Sequence, residues 1–272
     1  RYDPRADPAN KGGWTFSQPR RADDPADARK KPFDIAALYR TLRVGGPVLA
    51  PDGRRVLFTV TRYDLPAGKS NTDIYLARVD GGAPPRRMTR HEAVDHSPRW
   101  TPDGAAFVFL STRDEGSQVF RMPVDGGEPE QLTELSTGVD ELALSPDGKL
   151  LAYSSRVFPE HGSDDAANEA LLDDIEASPI QAHVADHLLF RHWKFYKQGR
   201  RSHILVHELA SGQVTDVTPG EFESPAFSAG GSAGFAFSPD SREICFSSNR
   251  EQDPDARAWT TNKDLLDRKS VV

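Results

Sequence analysis

Apolar and polar residues alternate along most of the chain in short runs, and the same turn signal precedes each of four such runs. Val56 to Val60, Ala106 to Leu110, Leu150 to Ser154 and Ile244 to Ser248 follow Ala50-Pro51-Asp52-Gly53, Thr101-Pro102-Asp103-Gly104, Ser145-Pro146-Asp147-Gly148 and Ser238-Pro239-Asp240-Ser241. Proline pre-sets the second position of a tight turn, and Asp and Gly suit the next two. Each copy therefore reads as strand, turn, strand. A second unit follows three of them. Asp73 to Val79 leads through Asp80-Gly81-Gly82 to Arg86–Thr89. Gln118 to Val124 leads through Asp125-Gly126-Gly127 to Glu130–Thr133, and His203 to Leu209 leads through Ala210-Ser211-Gly212 to Val214–Thr218. An alternating run, a Gly-containing turn and another short run mark a hairpin.

Joined, the two units give four strands per repeat. The turn prolines Pro51, Pro102, Pro146 and Pro239 are spaced by 51, 44 and 93 residues. Four short strands in about 40 to 50 residues is the period of a propeller blade. The expected fold is all-β: an incomplete β-propeller of about 3.5 four-stranded blades. The blades are expected at about 44–92, 93–136, 137–220 and 221–266, the last incomplete, within a propeller portion spanning 33–266. The 93-residue gap holds only one second-type hairpin, so an insertion at 158–201 is expected in the third blade. Its first half, Asp164 to Ala177, is acidic, with Leu171, Leu172 and Ile175 at helical spacing. Its second half, Leu188 to Tyr196, is aromatic and basic.

The ends read differently. Residues 1–32 are rich in Pro, Asp, Arg and Lys, and are expected to form a disordered tail. Pro32 to Arg40 then predicts a short helix, with Asp34 as its N-cap. Back-translated, residues 267–272 read as sequencing-adapter DNA in frame, and are expected to be an artificial tail.

Charge narrows the functional classes. The net charge is −7 with both signs interspersed, which excludes the basic stripe of a nucleic-acid surface. No window approaches 18 uninterrupted apolar residues, so no membrane-spanning helix is expected. One cysteine cannot form an internal disulfide. Cys245, in the run Ile244-Cys245-Phe246, is expected to be a buried, inert thiol.

Four patterns bear on chemistry. Gly230-Gly231-Ser232-Ala233-Gly234 matches the G-x-S-x-G turn of a serine hydrolase, but strand-like residues follow where a helix is needed. None of the eight histidines follows Ser232, so no catalytic residue is assigned. His183 and His187 share the spacing of a zinc-protease helix, yet Val184 stands where the general-base glutamate belongs. No metal and no cofactor is expected. Asp52, Asp103, Asp147 and Asp240 are expected to bind local backbone amides rather than an ion. Arg191, His192 and Trp193 are the candidate substrate-binding residues: an arginine beside an aromatic can hold a carboxylate. The alternative is a strand whose Trp193 packs in the blade core while Arg191 pairs internally.

Three regions of the chain carry a family resemblance. Pro32 to Arg43, Ala50 to Gly53 and Phe58 to Asp64 resemble the N-terminal region of dipeptidyl-peptidase V-like and acylaminoacyl-peptidase-like enzymes of the prolyl oligopeptidase family. Leu189-Phe190-Arg191-His192-Trp193 with Gly199 to His203, and Ala258-Trp259-Thr260-Thr261-Asn262-Lys263-Asp264-Leu265, resemble the same group. The Pro-Asp-Gly turns alone are shared with TolB-like propellers. The resemblance implies a propeller that precedes an α/β-hydrolase domain bearing a Ser-Asp-His triad. The propeller then restricts entry of short peptides and has no activity alone. Its implied partners are that hydrolase domain and a short peptide substrate. The competing reading is a TolB-like propeller that docks a partner protein.

Overall fold

The computed structural model describes residues 33–269 except 115, 181, 186, 187, 189, 193, 194, 227–233 and 261, and gives only the backbone of His192. The expected tail at 1–32 lies outside the described residues. The chain divides into a unit ending at Thr41 and a unit spanning Leu42–Val272. In the first, α1 (Ile35–Arg40) is capped as expected by Asp34, whose carboxylate accepts from the Ala37 amide at 2.6 Å.

The second unit holds antiparallel sheets in chain order. The first sheet is β1 (Arg43–Leu49), β2 (Arg55–Asp64), β3 (Lys69–Arg78) and β4 (Arg86–Arg87). The second is β5 (Asp95–Trp100), β6 (Ala106–Ser111), β7 (Gln118–Pro123) and β8 (Glu130–Gln131). The third begins with β9 (Glu141–Leu144) and β10 (Leu150–Val157). The chain then leaves it for α2 (Asp165–Ala177) and a small hairpin of β11 (Arg191–His192) and β12 (Phe195–Tyr196). It returns as β13 (Arg201–Glu208) and β14 (Val214–Asp216), giving the order β14-β13-β10-β9. The fourth sheet has three strands, β15 (Phe235–Phe237), β16 (Glu243–Ser248) and β17 (Asp264–Lys269), with α3 (Pro254–Trp259) between the last two. This is an incomplete propeller with a partly helical insertion in its third blade.

Strand alternation explains how the sheets stack. Successive side chains point to opposite faces. Along β6, Phe107 and Phe109 pack with Leu57 and Ile74 of the first sheet, while Val108 and Leu110 pack with Leu142 and Leu151 of the third. Along β13, Leu205 joins that second cluster, while Ile204 and Val206 pack with Ile244 and Phe246 of the fourth sheet. So every residue of β6 and all but Arg156 of β10 are buried. The fourth sheet behaves differently. β16 buries Ile244 and Phe246, and Cys245 between them is exposed. This corrects the expectation of a buried thiol: an apolar run buries both faces only where a sheet lies on each side.

Each Pro-Asp turn is closed by its aspartate, as expected. Asp52, Asp103, Asp147 and Asp240 accept from the amides of Arg54, Ala105, Lys149 and Arg242 at 2.8, 2.9, 3.1 and 3.2 Å. Hydroxyls of Thr101, Ser145 and Ser238 also donate to the last three, each at 2.6 Å. These bonds hold all four carboxyls below their ordinary value: chiefly the Arg54 amide for Asp52, and chiefly the neighbouring hydroxyl for the others. A carboxylate with a depressed pKa stabilises the fold above its unfolded value, and that contribution fades as pH falls through the folded value. The melting temperature is therefore expected to drop as pH falls below about 4, and less so in a variant with Asp103→Asn and Asp147→Asn. Equal acid sensitivity of the two proteins in a thermal melt series would discount the turns.

The fourth strand of each full blade is two or three residues long, too short to pair the whole of the third. A threonine hydroxyl takes over. Thr89, Thr133 and Thr218 Oγ1 accept from the buried amides of Ile74, Val119 and Ile204 at 3.0, 2.9 and 2.8 Å. Thr133 Oγ1 also donates to Gln118 Oε1 at 2.9 Å. Thr133→Val keeps the shape and removes the acceptor. A buried amide left without a partner costs about 1–3 kcal/mol. Urea unfolding should show that loss, with an unchanged slope.

Candidate functional site

The insertion is anchored at its base. Asp164 caps α2, accepting from the Ala167 amide at 3.1 Å. Buried Asn168 accepts from the Phe158 amide at 2.9 Å and donates to the carbonyls of Gly162 and Asp164 at 3.1 and 2.8 Å. Asp165 accepts from the Ser136 hydroxyl at 2.8 Å, tying the helix to the turn before β9.

Beyond the helix, β11 and β12 pair Arg191 with Tyr196 and His192 with Phe195. The ring of Tyr196 stacks on His183 at 3.7 Å and on Phe190 at 6.2 Å. Phe190, Phe195 and Tyr196 remain exposed, giving an aromatic hairpin at the surface. Gln198 and Gly199, both with positive φ (54° and 83°), then turn the chain into β13. Lys197 Nζ pairs with Glu223 at 2.5 Å, and Glu223 also accepts from the Ser202 amide at 2.9 Å. Arg201 donates to the Glu221 carbonyl at 3.3 Å. The hairpin is thus joined to the segment 221–224 that follows β14. Burial lowers the pKa of Arg200 beneath this turn.

Of the three candidate residues, Arg191 lies exposed in β11, opposite Tyr196. The backbone of His192 pairs with Phe195, and Trp193 lies outside the described residues. An exposed guanidinium on a strand opposite a tyrosine can bind a carboxylate or stack on a ring. The segment 230–233 of the G-x-S-x-G match is also outside the described residues. Its last residue, Gly234, leads directly into β15 and not into a helix. His187 of the histidine pair is likewise outside them, and His183 is the ring stacked on Tyr196.

Two features escape a reading of turns and alternation. Ser97, at φ 53°, sits in a register shift between His96 and Arg99 of β5, and Gly46, at φ 59°, sits in the matching shift of β1. A signal was present: Gly46-Pro47 and Ser97-Pro98 each lie four residues before a turn proline. The shift in β5 sends Arg99 into an open cavity of about 410 Å³ that also touches Leu142, Phe235, Cys245, Phe246 and Leu265. Burial lowers the pKa of Arg99, and the nearby Glu141 opposes that shift. Burial raises the pKa of Glu141.

Comparison with known proteins gives this architecture its relatives. Residues 39–169 match the family model described as the TolB beta propeller domain. Dipeptidyl-peptidase 5 of Porphyromonas endodontalis is 26% identical over 218 residues, covering 79% of this chain and 30% of the relative. The uncharacterized peptidase YuxL of Bacillus subtilis is 27% identical over 226 residues, covering 82% of this chain and 32% of the relative. The chain matches the N-terminal propeller portion of a prolyl oligopeptidase-family peptidase. An acylaminoacyl peptidase solved in complex with Z-Gly-Gly-Phe-chloromethyl ketone superposes with a TM-score of 0.61 at 12% identity. That match covers 87% of this chain and 32% of the solved one, and establishes the fold. The propeller portion thus spans about a third of the length of the relatives it matches.

Proposed function

We propose that the chain is the non-catalytic propeller of a serine exopeptidase or oligopeptidase, gating the access of short peptides to an α/β-hydrolase domain of the full-length protein. The observation that supports this reading is the extent of the match. Relatives named as peptidases align along about four-fifths of this chain, and this chain takes up about a third of them. The aromatic hairpin with Arg191 at its edge is the surface proposed to meet the peptide.

Two measurements test the reading. The purified chain is expected to show no hydrolysis of chromogenic dipeptide substrates, and a rate sensitive to a serine-directed inhibitor would overturn the non-catalytic role. In the full-length protein, Arg191→Ala is expected to raise KM about tenfold or more, the scale of a lost charge-assisted contact, without moving Tm. An unchanged KM would remove Arg191 from the peptide path.

A second reading is a TolB-like propeller that binds a partner protein, favoured by the family model that matches residues 39–169. Sequencing the DNA downstream separates the two. A hydrolase domain with a nucleophile elbow supports the first, and a stop after further blades supports the second.

A further inference from the structure

The blades repeat an arginine as well as a turn. Arg62, Arg113 and Arg250 each stand eleven residues after a turn proline, and Arg156 stands ten after. Arg62 and Arg156 lie near the end of the second strand of their sheets, and Arg113 and Arg250 lie two residues beyond it. In the first three sheets this arginine has a counter-ion. Arg62 lies 3.4 Å from Asp73, Arg113 lies 3.0 Å from Asp95, and Arg156 lies 2.9 Å from Asp140. The same guanidinium also covers an aromatic ring four residues earlier in two sheets: Arg113 over Phe109 at 5.6 Å and Arg250 over Phe246 at 5.9 Å.

Arg250 keeps the position without the ion pair: Asp264, which pairs with Ser248 as Asp73 pairs with Val60, is exposed and not within 4.0 Å of it. Asp95 precedes its turn proline by seven residues, and the fourth repeat has Ser232 at that place. No acidic residue occurs from Ser224 to Pro239. Among the described residues no carboxylate lies within 4.0 Å of Arg250. Its Nε is buried without a hydrogen-bond partner, and its Nη2 reaches the Ser224 hydroxyl only at 3.5 Å. Burial lowers its pKa. An uncompensated, partly desolvated guanidinium is costly unless something else supplies the negative charge.

A second arginine shares the site. The guanidinium of Arg250 lies 4.7 Å from the centre of the Phe222 ring, and that of Arg257, on α3, lies 4.7 Å from the same ring. Arg257 donates from Nε to the Glu251 carbonyl at 2.8 Å and from Nη1 to the Glu221 carbonyl at 3.2 Å. These bonds fix the side chain and leave its Nη2. The acids on the neighbouring segment are engaged elsewhere, Glu223 with Lys197 and Glu221 with Arg201. We propose that Arg250 and Arg257, held on the ring of Phe222, form a binding site for the carboxylate of a peptide. The site is separate from Arg191; the choice of a peptide as the bearer of that carboxylate rests on the peptidase reading, and the carboxylate itself does not. Planar guanidinium forks match carboxylates, and the ring fixes their planes.

Trp259, two residues from Arg257 and 81% exposed, provides a fluorescence readout. The full chain is titrated with N-acetyl-triglycine as the free acid and as the C-terminal amide. The free acid is expected to bind at least tenfold more tightly than the amide, and less tightly as salt is added. Arg250→Gln is expected to abolish that preference, and Arg257→Gln to reduce it. The helix α3 that carries Arg257 has no buried residue, so the Arg257 variant reports on binding even if Arg250→Gln unfolds. Arg156→Gln, in the paired repeat, is expected to leave the preference intact. Equal binding of acid and amide, or an acid preference unchanged in Arg257→Gln, overturns the proposal. So does a wild-type oligomer that Arg250→Gln dissociates without any binding of the free acid, since the carboxylate then comes from a second copy.

Discussion

Arg113→Ala is expected to cost about 3–5 kcal/mol of folding stability, the range found when one partner of a buried ion pair is removed. Asp95 is fully buried, and Arg113 Nη2 contacts both its carboxylate oxygens, at 3.0 and 3.1 Å. The Arg113 side chain also donates from Nε to the Ser111 hydroxyl at 2.9 Å and lies over Phe120 at 4.7 Å. Truncation therefore leaves a buried carboxylate with no countercharge and removes the cover of a ring. The double variant Asp95→Leu with Arg113→Met should be markedly more stable than Arg113→Ala alone, because neither charge is then stranded. Chemical denaturation of the three proteins decides the matter. A loss under 1 kcal/mol for Arg113→Ala would mean that water reaches Asp95.

Phe109→Ala is expected to have a similar effect for a different reason. Its ring is fully buried between the first and second sheets, 5.6 Å from Phe107 and 6.0 Å from Phe120. Removing a buried phenyl ring costs about 3–5 kcal/mol when the surroundings cannot collapse. Phe58, on the first sheet, stacks on Tyr75 at 5.8 Å and is only partly buried. Phe58→Ala should cost clearly less than Phe109→Ala. Equal losses in urea titrations would contradict the stacking of the first two sheets through the Phe109 face.

The repeat was legible because its signals are local. Pro, Asp and Gly act on the two or three bonds around them, so the four turns and the strands beside them fall where the pattern puts them. The helix over Asp165–Ala177 was legible for the same reason: Asp164 caps it and its apolar residues keep helical spacing. What escaped depends on neighbours far along the chain. The exposure of Cys245 follows from which faces of β16 are covered, and no window around Ile244-Cys245-Phe246 contains that information. The third strand of the fourth sheet, β17, pairs along all of Glu243–Ser248, yet its residues Asp264 to Lys269 show little alternation. At the candidate site, Arg191 was legible as an arginine next to aromatics. Arg250 was not, because its meaning comes only from the counter-ions that its three counterparts have.

The excursion between β10 and β13 has a consequence for how this molecule can vary. The two strands pair without a break from Leu150–Glu208 to Val157–Arg201, eight rungs in all. The ladder closes directly beneath the point where the chain departs. Its geometry is set by residues on either side of the departure and not by anything within it. The aromatic hairpin is therefore an exchangeable cassette on a fixed mount. Its length and surface chemistry can be rewritten while the blade that carries it keeps its register.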